Sequence, residues 1–435
     1  MAGRAGAGRT GAGRAGPGAD PRTREYTGAF LVLLDDDPDA GLRALSDAAG
    51  VEVPTARAMD PQALTDGGPV FFDQLGVAVV DVPPGQQAEL RRAGAASPHV
   101  LAVERERVLY ALGGDPSADY LRGFRDGVAS VVAGALGEAP VRGAADPCTQ
   151  TPDESVSTWG LQAVRALESG YTGAGVRGCV LDTGVDTAHP DLADRVVLTQ
   201  SFIAGELEDG HGHGTHCVGT AFGPLSPQTL PRYGVATGAE VYVGKVLSDA
   251  GSGGDRAILA GINWAITQGC RVISMSLGAP TAVGDTYSKV YEAVAQRALG
   301  RGSVIVAAAG NDSMRPYTTA PVSHPANCPS ILAVAALDNA LAVAEFSNAG
   351  LNPEGGQVDI AAPGVDVHSA WPEPQSTNTI SGTSMATPHV AGVVALLAEA
   401  HPQASAAELK DLLLSGARRL ELPSSDVGAG LLQAP

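Results

Sequence analysis

The chain has no run of apolar residues approaching the roughly 20 that cross a bilayer, so no membrane partner is expected. Its N-terminus also lacks the apolar stretch of a secretory signal. Basic residues are scarce: 28 Lys and Arg stand against 47 Asp and Glu, a formal net charge of −19. Such a surface repels phosphate backbones, which excludes nucleic acid as a partner. Cysteine is limited to Cys148, Cys179, Cys217, Cys270 and Cys328, widely spaced, with no CxxC pair. The odd number leaves at least one thiol unpaired in a monomer, and each is expected as a small buried apolar side chain. Their pairing, the redox compartment and the oligomeric state stay open. What is present, 44% hydrophobic and 17% charged residues, is the composition of a soluble globular protein.

Four stretches follow one another along the chain. Residues 1–24 are Gly/Ala/Arg-rich without apolar periodicity and are expected to be disordered. Residues 25–112 read as a small α+β unit. Its strands are expected at GAFLVLL (28–34), Val51–Arg57, LGVAVVDV (75–82) and HVLAVERERVLYAL (99–112), with helices after Asp37 and within PPGQQAELRRAG. That βαββαβ order suggests a ferredoxin-like plait. Residues 113–147 read as a linker holding one amphipathic helix, with Leu121, Phe124, Val128, Val131, Val132 and Leu136 at helical spacing.

From residue 148 to 435 apolar strands alternate with helical segments. VRGCVLD, AEVYVGKVL, RVISMSLG, SVIVAAAGN, SILAVAALD and VDIAAPG are apolar on both faces, as strands covered on two sides must be. The expected class is α/β, a doubly wound parallel sheet. Ligands bind such sheets beyond the carboxyl ends of the strands. There the sequence places Asp182, Asn311 and the Ser276-Leu277-Gly278 exit, while Ser384 opens a late helical run.

The stretch DGHGHGTHCVGT (209–220) holds His211, His213 and His216. A zinc cluster is one reading, yet no fourth ligand is spaced to complete it, and zinc explains neither Ser384 nor Asn311. A second reading makes one histidine a proton shuttle, oriented by Asp182 and serving Ser384 as nucleophile. N–H groups at a helix start and the Asn311 amide would then receive a developing oxyanion. Singly, Asp182 could be a turn former, Ser384 a helix cap and Asn311 a turn residue. Together they form the inventory of acyl transfer.

DTGVDTAHPDL, HGHGTHC and SGTSMATPHVAG, in that order, resemble the subtilisin-like serine proteases from about Ser157 to Ala434. Cys217 after HGTH is similar to the proteinase K branch. The resemblance implies an endopeptidase with Asp182 as acid, His213 as base, Ser384 as nucleophile and Asn311 as oxyanion donor. It implies that Gly251, Ser252 and Gly253 on one edge, and Ser276, Leu277 and Gly278 on the other, receive an extended polypeptide substrate as an added strand. Ala308, Ala309 and Gly310 look like one wall of the first specificity pocket, with Ser323 near its floor. Residues 25–112 resemble a propeptide in layout, implying a zymogen held by its own inhibitor, although the linker departs from propeptides that run directly into the protease. No cofactor is required by the resemblance. Asp191 matches a position that binds calcium in some subtilisins, but the loop GPLSPQTLPRYGVA is unlike theirs. His216 is expected to be structural, His211 a loop residue and Cys217 a buried thiol beside the site. The alternative is a silent protease fold that binds peptides. The resemblance leans toward secretion.

Overall fold

The computed structural model describes residues 25–50, 52–58, 67–83, 85–113, 152–205 and 207–435. The expected tail (1–24) and linker helix lie outside the described residues.

Residues 25–112 form β1 (Tyr26–Leu34), α1 (Pro38–Ala49), β2 (Val70–Phe72), β3 (Val77–Val80), α2 (Gln87–Ala96) and β4 (Val100–Ala111). Asp37 starts α1 by accepting from the Ala40 N–H, Pro38 fits its first turn, and Gly50 closes it in the left-handed conformation. The strands run in the order β4-β1-β3-β2, each pair antiparallel. The strand expected at Val51–Arg57 is corrected. The second strand is Val70–Phe72, and among the described residues of the expected stretch only Thr55 makes a bridge, to Phe71. Pro54 has no N–H for a ladder, and residues Ala56–Ala58 turn into a short 3₁₀ helix.

Alternation along β1 gives this small sheet two apolar faces. Phe30, Val32 and Leu34 pack under Leu45 of α1 and Leu90 of α2. Leu31, Leu33, Val77 and Val79 belong instead to the core of the larger body.

That body continues through α3 (Trp159–Ala163), β5 (Arg177–Asp182), β6 (Val196–Ser201), α4 (His213–Phe222), β7 (Glu240–Lys245), β8 (Ser252–Gly254) and α5 (Asp255–Thr267). Next come β9 (Val272–Met275), β10 (Leu277–Gly278), α6 (Lys289–Gly300), β11 (Val304–Ala308), β12 (Leu332–Leu337) and β13 (Ile360–Pro363). A hairpin of β14 (Val367–Ala370) and β15 (Thr377–Ile380) precedes the long α7 (Thr383–Ala400). The main sheet has the order β13-β12-β11-β9-β5-β7-β6, parallel throughout. Val218 of α4 and Val390 and Val393 of α7 share one core cluster with Val180, Val272 and Val306. Ile258 of α5 and Val294 of α6 share the other with Leu181, Ile273 and Ile305. The doubly wound parallel sheet is as the sequence led us to expect, with helices on both faces. Among the described residues no helix is long and apolar enough to cross a membrane.

After β5 the chain moves outward to β6 and β7, then returns past β5 to lay down β9. The strand order therefore reverses between β5 and β9, the place where open parallel sheets leave a crevice at their carboxyl ends. Asp182 ends β5 and Ser276 follows β9.

Candidate active site

Asp182 and His213 meet in that crevice, both fully buried. The His213 Nδ1–H donates to Asp182 Oδ1 over 2.7 Å, and the Thr183 N–H donates to the same oxygen over 2.7 Å. Burial disfavours charge on the His213 ring, yet the Asp182 carboxylate and its hydrogen bond outweigh that penalty. The His213 pKa accordingly sits well above the usual histidine value. A pair so arranged is suited to hold an imidazolium formed by taking a proton.

Ser384 lies in the first turn of α7, a helix entered through Gly382. Its hydroxyl does not donate to His213. It donates to the Ser276 carbonyl over 2.9 Å, and His213 Nε2 is buried without a partner. The two residues are nonetheless neighbours across Cys217, whose Sγ is 3.9 Å from His213 Nδ1 and 3.7 Å from the Ser384 carbonyl. Burial pushes the Cys217 thiol up, so it stays protonated near neutral pH.

Asn311 sits just past β11 and is aimed by Thr383, a residue that sequence reasoning passed over. Thr383 donates to Asn311 Oδ1 from its backbone N–H (2.9 Å) and its hydroxyl (2.8 Å). The Asn311 amide is left facing the cleft, where it donates to the Leu112 carbonyl over 2.6 Å.

The three histidines do not converge. The rings of His211 and His213 lie 6.1 Å apart, edge to face. His216 points away and donates from Nε2 to the Val367 carbonyl over 3.0 Å. Burial lowers its pKa to about 3, which fits a neutral structural ring. Among the described residues, the group with metal-ligand spacing is Asp182, His213 and Cys217, and its first two members already bond each other. Asp191 is held by protein groups. Its Oδ1 accepts from the Gln228 N–H (2.8 Å) and its Oδ2 from the Tyr233 hydroxyl (2.6 Å), so both oxygens face protein donors.

The histidine loop is built on Asp209, a residue given no role by the sequence reading. Its carboxylate accepts five hydrogen bonds: from the Thr183 and Thr215 hydroxyls and from the N–H groups of His211, Gly212 and Thr215. Burial alone would raise its pKa, but these donors win and hold it below the ordinary value. Asp209→Ala leaves those donors unpaired and is expected to lower stability by about 3 kcal/mol. A depressed carboxylate contributes above its unfolded pKa and is lost as pH falls through the folded one. Denaturant melts should therefore show a gap between wild type and variant that narrows below about pH 4. An equal gap at both ends of that range would refute a role for the ionised carboxylate.

The two expected edges also come together. Leu109 and Tyr110 of β4 pair antiparallel with Gly253 and Ser252 of β8, and Tyr110 and Ala111 pair with Gly278 and Leu277 of β10. The Ala111 N–H donates to the Gly251 carbonyl (2.9 Å) and the Leu112 N–H to the Ser276 carbonyl (3.2 Å). The chain's own residues thus form the middle strand between the edges. Gly278 makes room for this strand, since a Cβ there would lie 2.8 Å from Leu112 Cδ1. Gly310 is needed for its positive φ and because a Cβ would strike Asn348 and Ser323. Ala308 and Ala309 are fully buried, and the Ala309 N–H bonds into the sheet at Val334. Ser323 donates to Asp312 Oδ2 over 3.2 Å.

Two glutamates of β4 tie the small sheet to the body. Glu104 accepts from the Ser288 hydroxyl and the Lys289 and Val290 N–H groups at the start of α6. Glu106 accepts from the Arg256 N–H at the start of α5. Each carboxylate meets orphan donors at the positive end of a helix dipole.

Comparison with known proteins follows the same lines. Residues 173–430 match the model of the subtilase family. The chain is 40% identical to a subtilisin of Bacillus pumilus over 268 residues, 60% of this chain and 92% of that protein. It is 40% identical to subtilisin E of Bacillus subtilis strain 168, covering 66% of that protein's length. Against subtilisin Savinase of Lederbergia lenta the identity is 39% over 281 residues, 96% of that protein. With a matched segment that spans the sheet, the crevice and the helix carrying Ser384, this chain belongs to the subtilase family.

Proposed function

We propose that the protein is a serine endopeptidase made as a zymogen, with Asp182, His213 and Ser384 as acid, base and nucleophile and Asn311 as oxyanion donor. The observation that carries this reading is the seating of residues 108–112 between the two edges, with the Leu112 carbonyl on the Asn311 amide. A substrate polypeptide would add in the same way, its main chain giving affinity and its side chains selectivity. In the reaction the Ser384 hydroxyl leaves the Ser276 carbonyl by rotation about χ1 and gives its proton to the free His213 Nε2. The acyl group forms on Ser384, and His213 returns the proton to the leaving amine.

Residues 25–112 act as propeptide and inhibitor. Their strand order β4-β1-β3-β2 supports a ferredoxin-like plait. Their inner face and glutamates cover α5 and α6, and their end fills the cleft. Cys217 beneath His213 supports a place near the proteinase K branch. The chemistry requires no cofactor.

The processed protein is expected to hydrolyse denatured casein, to lose that activity on labelling by a fluorophosphonate, and to keep it in a chelator. A folded, processed preparation that neither hydrolyses protein nor takes the label would end this reading.

A further inference from the structure

We infer that the chain's first cut falls at Leu112–Gly113, 40 residues ahead of the docked body at Pro152–Ser157, so that the first product begins at Gly113. This rests on the peptidase reading above and deepens it.

Three observations fix the bond. The Leu112 carbonyl accepts from Asn311 Nδ2 over 2.6 Å. It also lies against Gly382, where any Cβ would come within 2.6 Å of that oxygen. On the other side, a Cβ built on Gly113 would be 3.4 Å from His213 Nε2 and 3.0 Å from the Met385 sulfur. The peptide bond joining Leu112 to Gly113 therefore lies between an oxyanion donor and an unpartnered imidazole nitrogen. Attack by Ser384 Oγ on the Leu112 carbonyl carbon forms an ester and breaks the bond to the Gly113 nitrogen. His213 carries the serine proton to that nitrogen. Water then cleaves the ester, leaving a Leu112 carboxylate and restoring the serine.

The body's own start is docked while Gly113 occupies the cleft. Ser157 bridges Arg232, the Thr158 N–H donates to the Arg232 carbonyl over 2.9 Å, and Trp159 Nε1 donates to the Val365 carbonyl over 3.1 Å. Between them lie residues 114–151, 38 positions, whose extended reach is about 130 Å. The cut and the docked start therefore place no demand on each other, and the body needs no rearrangement once the bond is broken.

The same seat states a preference. Leu109 is fully buried and Leu112 packs against Gly278, while the Tyr110 hydroxyl turns outward to Glu25. The favoured substrate class is an extended peptide with an aliphatic residue before the cut and another three residues upstream.

The test follows the full-length chain by intact mass and N-terminal sequencing from the first minutes after refolding. The first new N-terminus should be Gly113, and the matching fragment should end at Leu112. With the processed enzyme, a fluorogenic peptide ending in Leu-Tyr-Ala-Leu before the reporter should have a kcat/KM at least about 10-fold above Leu-Tyr-Ala-Asp. A preparation that digests casein but first appears with another N-terminus overturns this inference and leaves the peptidase reading standing. An uncut chain without hydrolytic activity overturns the peptidase reading itself. Equal rates on the two peptides overturn the stated preference alone.

Discussion

Ser384→Ala is expected to lower kcat on peptide substrates by about 10⁶-fold, a magnitude carried over from subtilisin itself. In the proposed mechanism the hydroxyl is the atom that forms the acyl bond. Cys217 is close, but its thiol is buried behind His213 and its pKa is pushed up. His213→Ala should cost about as much, and the double variant little more, because nucleophile and base act as one unit. Additive losses in the double variant would argue for two independent contributions. Persistent fluorophosphonate labelling of purified Ser384→Ala would place the nucleophile elsewhere. The pH profile adds a check on the same pair. With neutral His213 as the proposed base, kcat/KM should rise with pH through a pKa that Asp182 holds above the ordinary histidine value.

Asn311→Ala is expected to reduce kcat by about 10²–10³-fold with KM nearly unchanged, again the size carried over from subtilisin. The amide meets its oxygen best when charge develops there, so the loss belongs to the transition state. Asn311 also serves Thr383 through Oδ1, and alanine removes that acceptor as well. Asn311→Asp separates the two effects. It keeps an acceptor for Thr383 and puts an oxygen against the developing oxyanion, so Tm should hold while kcat stays as low as in alanine. A KM effect as large as the kcat effect in both variants would assign Asn311 to ground-state binding instead.

Much of this site could be read from residues alone, for a physical reason. Asp182, His213, Asn311 and Ser384 each sit where a strand ends or a helix begins, and such positions carry local signals in the chain. The parallel strands were equally legible, since β5, β7, β9, β11 and β12 are buried on both faces. The edge strands β6 and β2 were not. In β6, Val197 and Leu198 are exposed, so the segment carries no burial pattern to betray it. β2 is three residues long, below the length at which alternation registers. The role of Asp209 depends on five donors arriving from its own loop, from Thr183 and from Thr215, a convergence no linear pattern displays. Glu104 and Glu106 read as ordinary alternating charge on a strand. The docking of β4 against α5 and α6 brings them to the two helix starts.

On the proposed maturation, those two carboxylates have a consequence for the body once residues 25–112 leave it. The donors at the starts of α5 and α6, and the apolar flank above them, are matched by the piece of chain that the proposed cleavage would discard. A body assembled around a partner it then loses holds its shape through the height of its unfolding barrier more than through the depth of its energy well. Once unfolded, it would have no scaffold to guide its return.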